Sequence, residues 1–227
     1  MDAPGASDEQ LRRSLRFIRR VNAALGYTRA TLSHFDRFSR SWRRGETIRV
    51  VDVGTGSADI PLALLRWAER RGFDLRVVGV DLHPTTAAIA AEARHPKLRI
   101  VRGDALCPPF AANSFDYAIT NMFLHHLPDA AATAVLRQLD RLACRGVLVA
   151  DLLRRRRAYA WISLFTLASN PMVRHDARVS VRQAFSPAEV LKLRNAAGLA
   201  YVRYYPHFGH RFVLAGEKDV PAATFRA

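Results

Sequence analysis

The sequence predicts a doubly wound α/β fold: a seven-stranded sheet, parallel except for a C-terminal antiparallel hairpin, preceded by an N-terminal helical cap. Three observations carry this. Short apolar strands alternate with helical stretches of ten to fifteen residues across the middle of the chain. The first strand runs straight into a glycine turn, Asp52-Val53-Gly54-Thr55-Gly56-Ser57, followed by a helix. The last two strand candidates are joined by a loop too short for a helical crossover, so they must pair antiparallel.

The elements follow in order. Over residues 11–25, Leu11, Leu15, Ile18 and Leu25 share one helical face, and residues 28–42 carry Leu32, Phe35 and Phe38 in a second helical pattern. These two stretches form the expected cap, residues 1–46. Residues 49–53 are a β-branched strand and 60–71 a helix. Residues 75–80 are a strand, and 84–94 an alanine-rich helix with Pro84 in its first turn. Strands at 98–101, 115–120 and 146–151 follow, with a helix at 129–143. Ser186-Pro187-Ala188-Glu189 is a capping box opening a helix that Gly198 stops. Strands at 199–205 and 211–216 close the fold. The main domain is expected at 47–218, with an insertion at 154–185 and a tail at 219–227.

Composition narrows the function classes. The 227 residues are 49% hydrophobic and 24% charged, which suits one globular core and excludes a disordered chain. No apolar stretch reaches bilayer-spanning length, and the acidic, polar N-terminus has no apolar signal-peptide core, so a soluble cytoplasmic protein is expected. Cys107 and Cys144 stand far apart without metal-ligand spacing, so neither a zinc site nor a disulfide scaffold is expected. The net charge of +15 would ordinarily suggest nucleic acid or an anionic membrane surface. Only Lys97, Lys192 and Lys218 are lysines, however, and the arginines are spread along the chain beside abundant alanine. That pattern reads as coding composition and a solvated surface. The dense run Arg154 to Arg157 is a local anion or interface patch.

Chemistry concentrates at strand ends. The glycines at 54 and 56 permit a sharp turn and close approach of a ligand. A dinucleotide fingerprint would put its third glycine where Asp59 stands, and carboxylates at 52 and 59 would repel a pyrophosphate, so a ligand with a cationic portion fits better. Asp81 ends the second strand about twenty residues on, where a carboxylate can accept from both ribose hydroxyls, although a helix-capping aspartate is the alternative. Gly103-Asp104-Ala105 follows the third strand, where a carboxylate can accept from an adenine amine. By itself it is an ordinary turn.

Together these residues resemble the class I S-adenosylmethionine-dependent methyltransferases, which are Rossmann-like. The matching segments are Asp52-Val53-Gly54-Thr55-Gly56-Ser57, Asp81, Gly103-Asp104-Ala105 and Ser114-Phe115-Asp116-Tyr117-Ala118-Ile119. Asn121-Met122-Phe123-Leu124-His125-His126-Leu127-Pro128-Asp129 is similar to the corresponding segment of ubiquinone- and menaquinone-biosynthesis methyltransferases. The resemblance covers about residues 48–216, and Ala58 departs from the usual third glycine. It implies that S-adenosylmethionine is bound by Asp52 at its amino group, within the loop of Gly54, Thr55, Gly56 and Ser57. Asp81 with Leu82 would hold the ribose, and Gly103, Asp104 and Ala105 the adenine, with Asn121 and Met122 near the sulfonium.

The activated donor leaves the protein to align an acceptor and, for a phenol or enol, to remove its proton, work suited to histidine. His125, His126 and His175 are the candidates. For one of the pair a packing role, and for His175 a surface loop, is the alternative. Trp161, Phe165 and Met172 are expected to line an apolar acceptor pocket, with Arg174 and Arg182 in the same segment. The leading expectation is O-methylation of a small aromatic or polyketide-like molecule. The alternatives are an RNA methyltransferase and a non-catalytic binding protein. Against RNA, Asn121-Met122-Phe123 is not the Pro-Pro-aromatic motif of enzymes that methylate base amines. The oligomeric state is open, a homodimer included.

Overall fold

The computed structural model describes residues 12, 13, 15, 26–166, 171–208 and 210–219, without the side chains of residues 165, 171–173 and 176. The elements, in chain order, are α1 (Tyr27–Phe38), β1 (Thr47–Val53), α2 (Asp59–Arg71), β2 (Asp74–Asp81), α3 (Pro84–Ala91) and β3 (Leu98–Arg102). Then follow β4 (Phe115–Asn121), α4 (Asp129–Leu142), β5 (Ala143–Leu152), α5 (Arg156–Phe165), α6 (Pro171–Gln183), α7 (Pro187–Ala196), β6 (Arg203–His207) and β7 (Arg211–Glu217). Most of the helix expected at 11–25, and most of the 219–227 tail, lie outside the described residues.

The seven strands form one sheet in the order β3-β2-β1-β4-β5-β7-β6. β1 to β5 run parallel, and β7 pairs antiparallel with both β5 and β6. The chain leaves β1 outward through β2 and β3, then returns to place β4 on the other side of β1. The C-terminal ends of β1 and β4 therefore flank the point where strand order reverses, the crevice that open α/β sheets use for ligands. β4 is buried throughout, and β1 from Val50 to Val53, because helices cover both faces of the sheet.

One face packs against α4 and α7 through Val135, Leu136, Leu139, Val190 and Leu193. The other packs against α1 and α2 through Phe35, Phe38, Leu64 and Leu65. The described part of the expected cap is thus built into the core. Phe35 and Phe38 join Trp42, Trp67 and Tyr117 in one aromatic cluster, with Phe38 stacked on Tyr117 at 5.0 Å between centroids.

Several boundaries differ from the sequence expectation: the helix expected at 28–42 ends at Phe38 and that expected at 84–94 ends at Ala91. The strand expected at 199–205 starts only at Arg203. Gly198, at φ 81°, turns the chain out of α7, and Leu199 and Val202 close a tight turn (Val202 N–H to Leu199 carbonyl, 3.1 Å) that buries both. β5 begins at Ala143, directly at the end of α4. The capping box at Ser186 and Glu189 forms as expected.

Candidate active site

At the end of β1, Asp52 is buried, and its Oδ2 accepts from the Thr55 hydroxyl at 2.8 Å. Asn121, at the end of β4, turns its side chain to Asp52, and the buried Asp52 Oδ1 and Asn121 Nδ2 find no other partner. Burial pushes the Asp52 carboxyl up to about 7, a rise that the Thr55 hydroxyl and the Asn121 side chain oppose and that the charges of Asp59 and Asp81 reinforce.

The glycine turn is fastened to β2: the N–H groups of Gly54 and Thr55 both donate to the Val80 carbonyl at 2.9 Å. Both glycines have positive φ, but they differ in surroundings. A Cβ on Gly54 would lie 2.5 Å from the Phe123 ring, which packs against this glycine. A Cβ on Gly56 would meet nothing within 4 Å, and it is Gly56 that opens outward. Ala58, at the position of the expected third glycine, sits at φ 57° in the left-handed region, fully buried. Thr55 is wedged over Gly79, whose absent Cβ would lie 2.8 Å from its hydroxyl; that contact aims Thr55 at Asp52.

Asp81, at the end of β2, accepts from Gly56 N–H (2.9 Å) through Oδ2 and from His83 N–H (3.0 Å) through Oδ1. Leu82 beside it is 60% exposed, and Leu106, after β3, is 42% exposed. Asp104 is exposed, and its Oδ1 accepts from Leu106 N–H at 2.8 Å. Met122 follows Asn121 at φ 53°, an uncommon conformation for a side chain that turns the chain away from β4.

The histidines separate. His125 is buried, with Nδ1 2.6 Å from Oδ1 of Asp151 at the end of β5. The backbone N–H of His125 donates to Asp151 Oδ2, and that of Leu152 to Oδ1. Burial alone would raise Asp151, but attraction to the His125 ring and these hydrogen bonds hold its carboxyl below the ordinary range. His126 is exposed, with its ring 4.1 Å from that of His125. Both line a cleft of about 340 Å³ with Leu127, Asp129, Arg154, Gln183 and Glu189. His175 is exposed on α6 and lines neither this cleft nor the groove of about 720 Å³ between α1 and α2.

The expected acceptor segment behaves differently. Trp161 is 48% exposed on α5, Arg182 stacks on Tyr159 at 5.0 Å from its ring centre, and neither lines these cavities. Arg174, half-buried on α6, lines neither as well. The side chains of Phe165 and Met172 lie outside the described residues. Sequence reasoning missed Asp151, although an acidic residue ending an apolar strand is the signal that singled out Asp52 and Asp81. It also missed Thr31, whose hydroxyl donates to Asn121 Oδ1 at 2.7 Å, and Tyr27, which lies under the Arg211 guanidinium at 4.0 Å. Nothing local in α1 marks either residue.

Comparison with known proteins decides the family. A family described as a methyltransferase domain matches residues 50–146. A demethylmenaquinone methyltransferase of Roseiflexus sp. (strain RS-1) is 32% identical over 171 residues, covering 69% of each chain. The chain belongs to the class I S-adenosylmethionine-dependent methyltransferases. This methyltransferase spans about half or less of the length of two further demethylmenaquinone methyltransferases it resembles, from Shouchella clausii and Roseiflexus castenholzii. Its fold is shared by human N-acetylserotonin methyltransferase in complex with S-adenosylmethionine (TM-score 0.65, 13% identity, 94% of this chain and 57% of that one). It is shared also by an Aquifex aeolicus S-adenosylmethionine-dependent methyltransferase (TM-score 0.56, 17% identity, 80% of this chain and 88% of that one). Among the described residues of the methyltransferase no helix is long and apolar enough to cross a membrane.

Proposed function

We propose that this methyltransferase acts on a small aromatic acceptor bearing an ionisable hydroxyl, that His125 is the base, and that transfer is to the oxygen it deprotonates. The observation that carries this reading is the 2.6 Å His125–Asp151 contact in the wall of the 340 Å³ cleft, three residues past Met122. That volume lies in the range of small-molecule sites. The acidic residues Asp129 and Glu189 in its wall suit a nucleic acid poorly.

S-adenosylmethionine, when bound, supplies an electrophilic methyl group on a sulfonium. The residues present fit it. Asp52 is the proposed acceptor for its ammonium and Asn121 Nδ2 the proposed donor to its carboxylate, a reading supported by two buried polar atoms that find no partner but each other. Asp81 is proposed to take the ribose hydroxyls at the open Gly56 turn. Leu82 offers exposed apolar surface to the base, with Gly103, Asp104 and Ala105 along its edge. Thr55 is a positioning residue for Asp52 rather than a ligand contact.

With Nδ1 engaged by Asp151, Nε2 is the ring nitrogen left to take the acceptor's proton, and the carboxylate stabilises the resulting imidazolium. His126 shares the cleft wall and is the proposed neighbour that orients the acceptor. The resemblance to demethylmenaquinone methyltransferases supports an aromatic, quinone-type acceptor. The test has two arms. Calorimetry measures S-adenosylmethionine binding, and methyl transfer from labelled donor to hydroxylated naphthalenes and simple phenols is followed by mass spectrometry and NMR. Methyl on oxygen in the wild type, lost in His125→Gln with donor binding intact, is the expected result. Methyl on a ring carbon, or transfer to structured RNA instead, overturns it.

A further inference from the structure

α5 presents two faces. Ala158 and Ile162 are buried against Val181 of α6. Arg157, Ala160, Trp161 and Leu164, at helical spacing on the other side, are exposed, Leu164 to 69%. The preceding run, Arg154 to Arg157, is exposed throughout. Arg154 pairs with Glu189 at 2.5 Å, but no carboxylate pairs with Arg155, Arg156 or Arg157 among the described residues. The β6–β7 turn is tied to the same place: Leu153 N–H donates to the His210 carbonyl at 2.8 Å, and His210 lies in the field of Arg155 and Arg157. That turn carries Phe208, 97% exposed.

A soluble surface can carry scattered apolar side chains without consequence. Here Trp161 and Leu164 stand on the same exposed face of α5 as Arg157, the turn that carries Phe208 is tied through His210 to Leu153 beside the arginine run, and Arg154 of that run lines the cleft. Leucine and phenylalanine at a protruding edge gain most by leaving water for hydrocarbon, tryptophan prefers the headgroup level, and guanidinium groups neutralise anionic headgroups. Nucleic acid would exploit the arginines but gives an aliphatic side chain nothing to stack on.

We propose that the outer face of α5 and the β6–β7 turn form a docking surface for an anionic lipid bilayer, seating the methyltransferase with its cleft beside the membrane. The apolar side chains enter the interface while Arg155 to Arg157 lie along the headgroups. This goes beyond the catalytic reading and does not depend on it.

Vesicles of phosphatidylcholine with and without phosphatidylglycerol test it by cosedimentation of the full chain. Expected are binding to the phosphatidylglycerol vesicles that falls with added salt, and little binding to phosphatidylcholine alone. The double variants Trp161→Ala/Leu164→Ala and Arg155→Glu/Arg157→Glu should each weaken binding by roughly 10-fold or more. Trp161 supplies a readout that needs no variant to fold. Trp42 and Trp67 lie in the aromatic cluster on the α2 side, so a blue shift of tryptophan emission on adding anionic vesicles, quenched by brominated lipid, reports Trp161. No vesicle binding, equal binding by both double variants, or an unshifted spectrum overturns the proposal. So does binding to RNA with indifference to vesicles.

Discussion

The Thr31 hydroxyl donates across 2.7 Å to Oδ1 of Asn121, joining the second turn of α1 to the end of β4 in a buried hydrogen bond ninety residues apart in sequence. The bond settles which way the Asn121 amide faces. With Oδ1 committed to Thr31, Nδ2 is turned to Asp52. α1 therefore helps to shape the proposed donor site, although it contributes no residue that the family motifs mark.

Thr31→Val keeps the shape and removes the donor. It leaves Asn121 Oδ1 buried and unpaired, at a cost of about 1–3 kcal/mol in stability. S-adenosylmethionine affinity should fall by roughly 5–10-fold, the equivalent of about 1–1.4 kcal/mol. Thr31→Ser should restore both. Thermal unfolding and calorimetry on the three proteins check this.

Asp52 makes stability depend on pH. Its folded pKa, about 7, lies above the ordinary carboxylate value of 3.8, so the folded protein holds a proton that the unfolded chain has released between those values. Stability from this group is fully present below pH 3.8 and is lost as pH rises through about 7. Asp52→Asn should abolish this part of the slope in chemical unfolding measured from pH 4 to 8. In the same range donor affinity in the wild type should rise with pH, because only the ionised carboxylate pairs with an ammonium.

His125 and Asp151 should behave as a unit. Asp151→Asn and His125→Gln are each expected to lower kcat by about 10²–10³-fold while leaving donor affinity within about twofold. The double variant should be little worse than either single one. His175→Ala should leave kcat unchanged. Steady-state rates with calorimetric donor binding separate these outcomes.

Gly54 and Gly56 should respond differently to alanine. Gly54→Ala drives a Cβ to 2.5 Å from the Phe123 ring at φ 72°, and is expected to cost about 3 kcal/mol or more and to abolish donor binding. Gly56→Ala has room and carries only the left-handed penalty of about 1–2 kcal/mol. Adding Phe123→Ala to Gly54→Ala should recover part of the loss, a coupling that denaturant melts on the double-mutant cycle would measure.

Much of the site was legible in the chain. Asp52, Asp81 and Asp104 each follow an apolar run that ends in a turn, so each had to lie at a sheet tip. The same signal stood at Asp151 and was overlooked because no glycine turn drew attention to it. His125 and His126 could not be told apart by sequence, since adjacent residues point different ways and only packing decides which is buried. Residues 199–205 alternate well enough for a strand, yet Gly198 and the burial of Leu199 and Val202 make the first part a turn.

The residue order alone determined the alternation of strands and helices, the antiparallel finish, the glycine turn and the carboxylates that follow the strands, because these depend on local periodicity, turn chemistry and loop length. The partnerships were decided by tertiary structure: Thr31 with Asn121, His125 with Asp151, and Phe123 over Gly54. Each joins residues that no local pattern relates. Which of them face each other depends on how helices pack across the sheet, and so on the shape of the whole core.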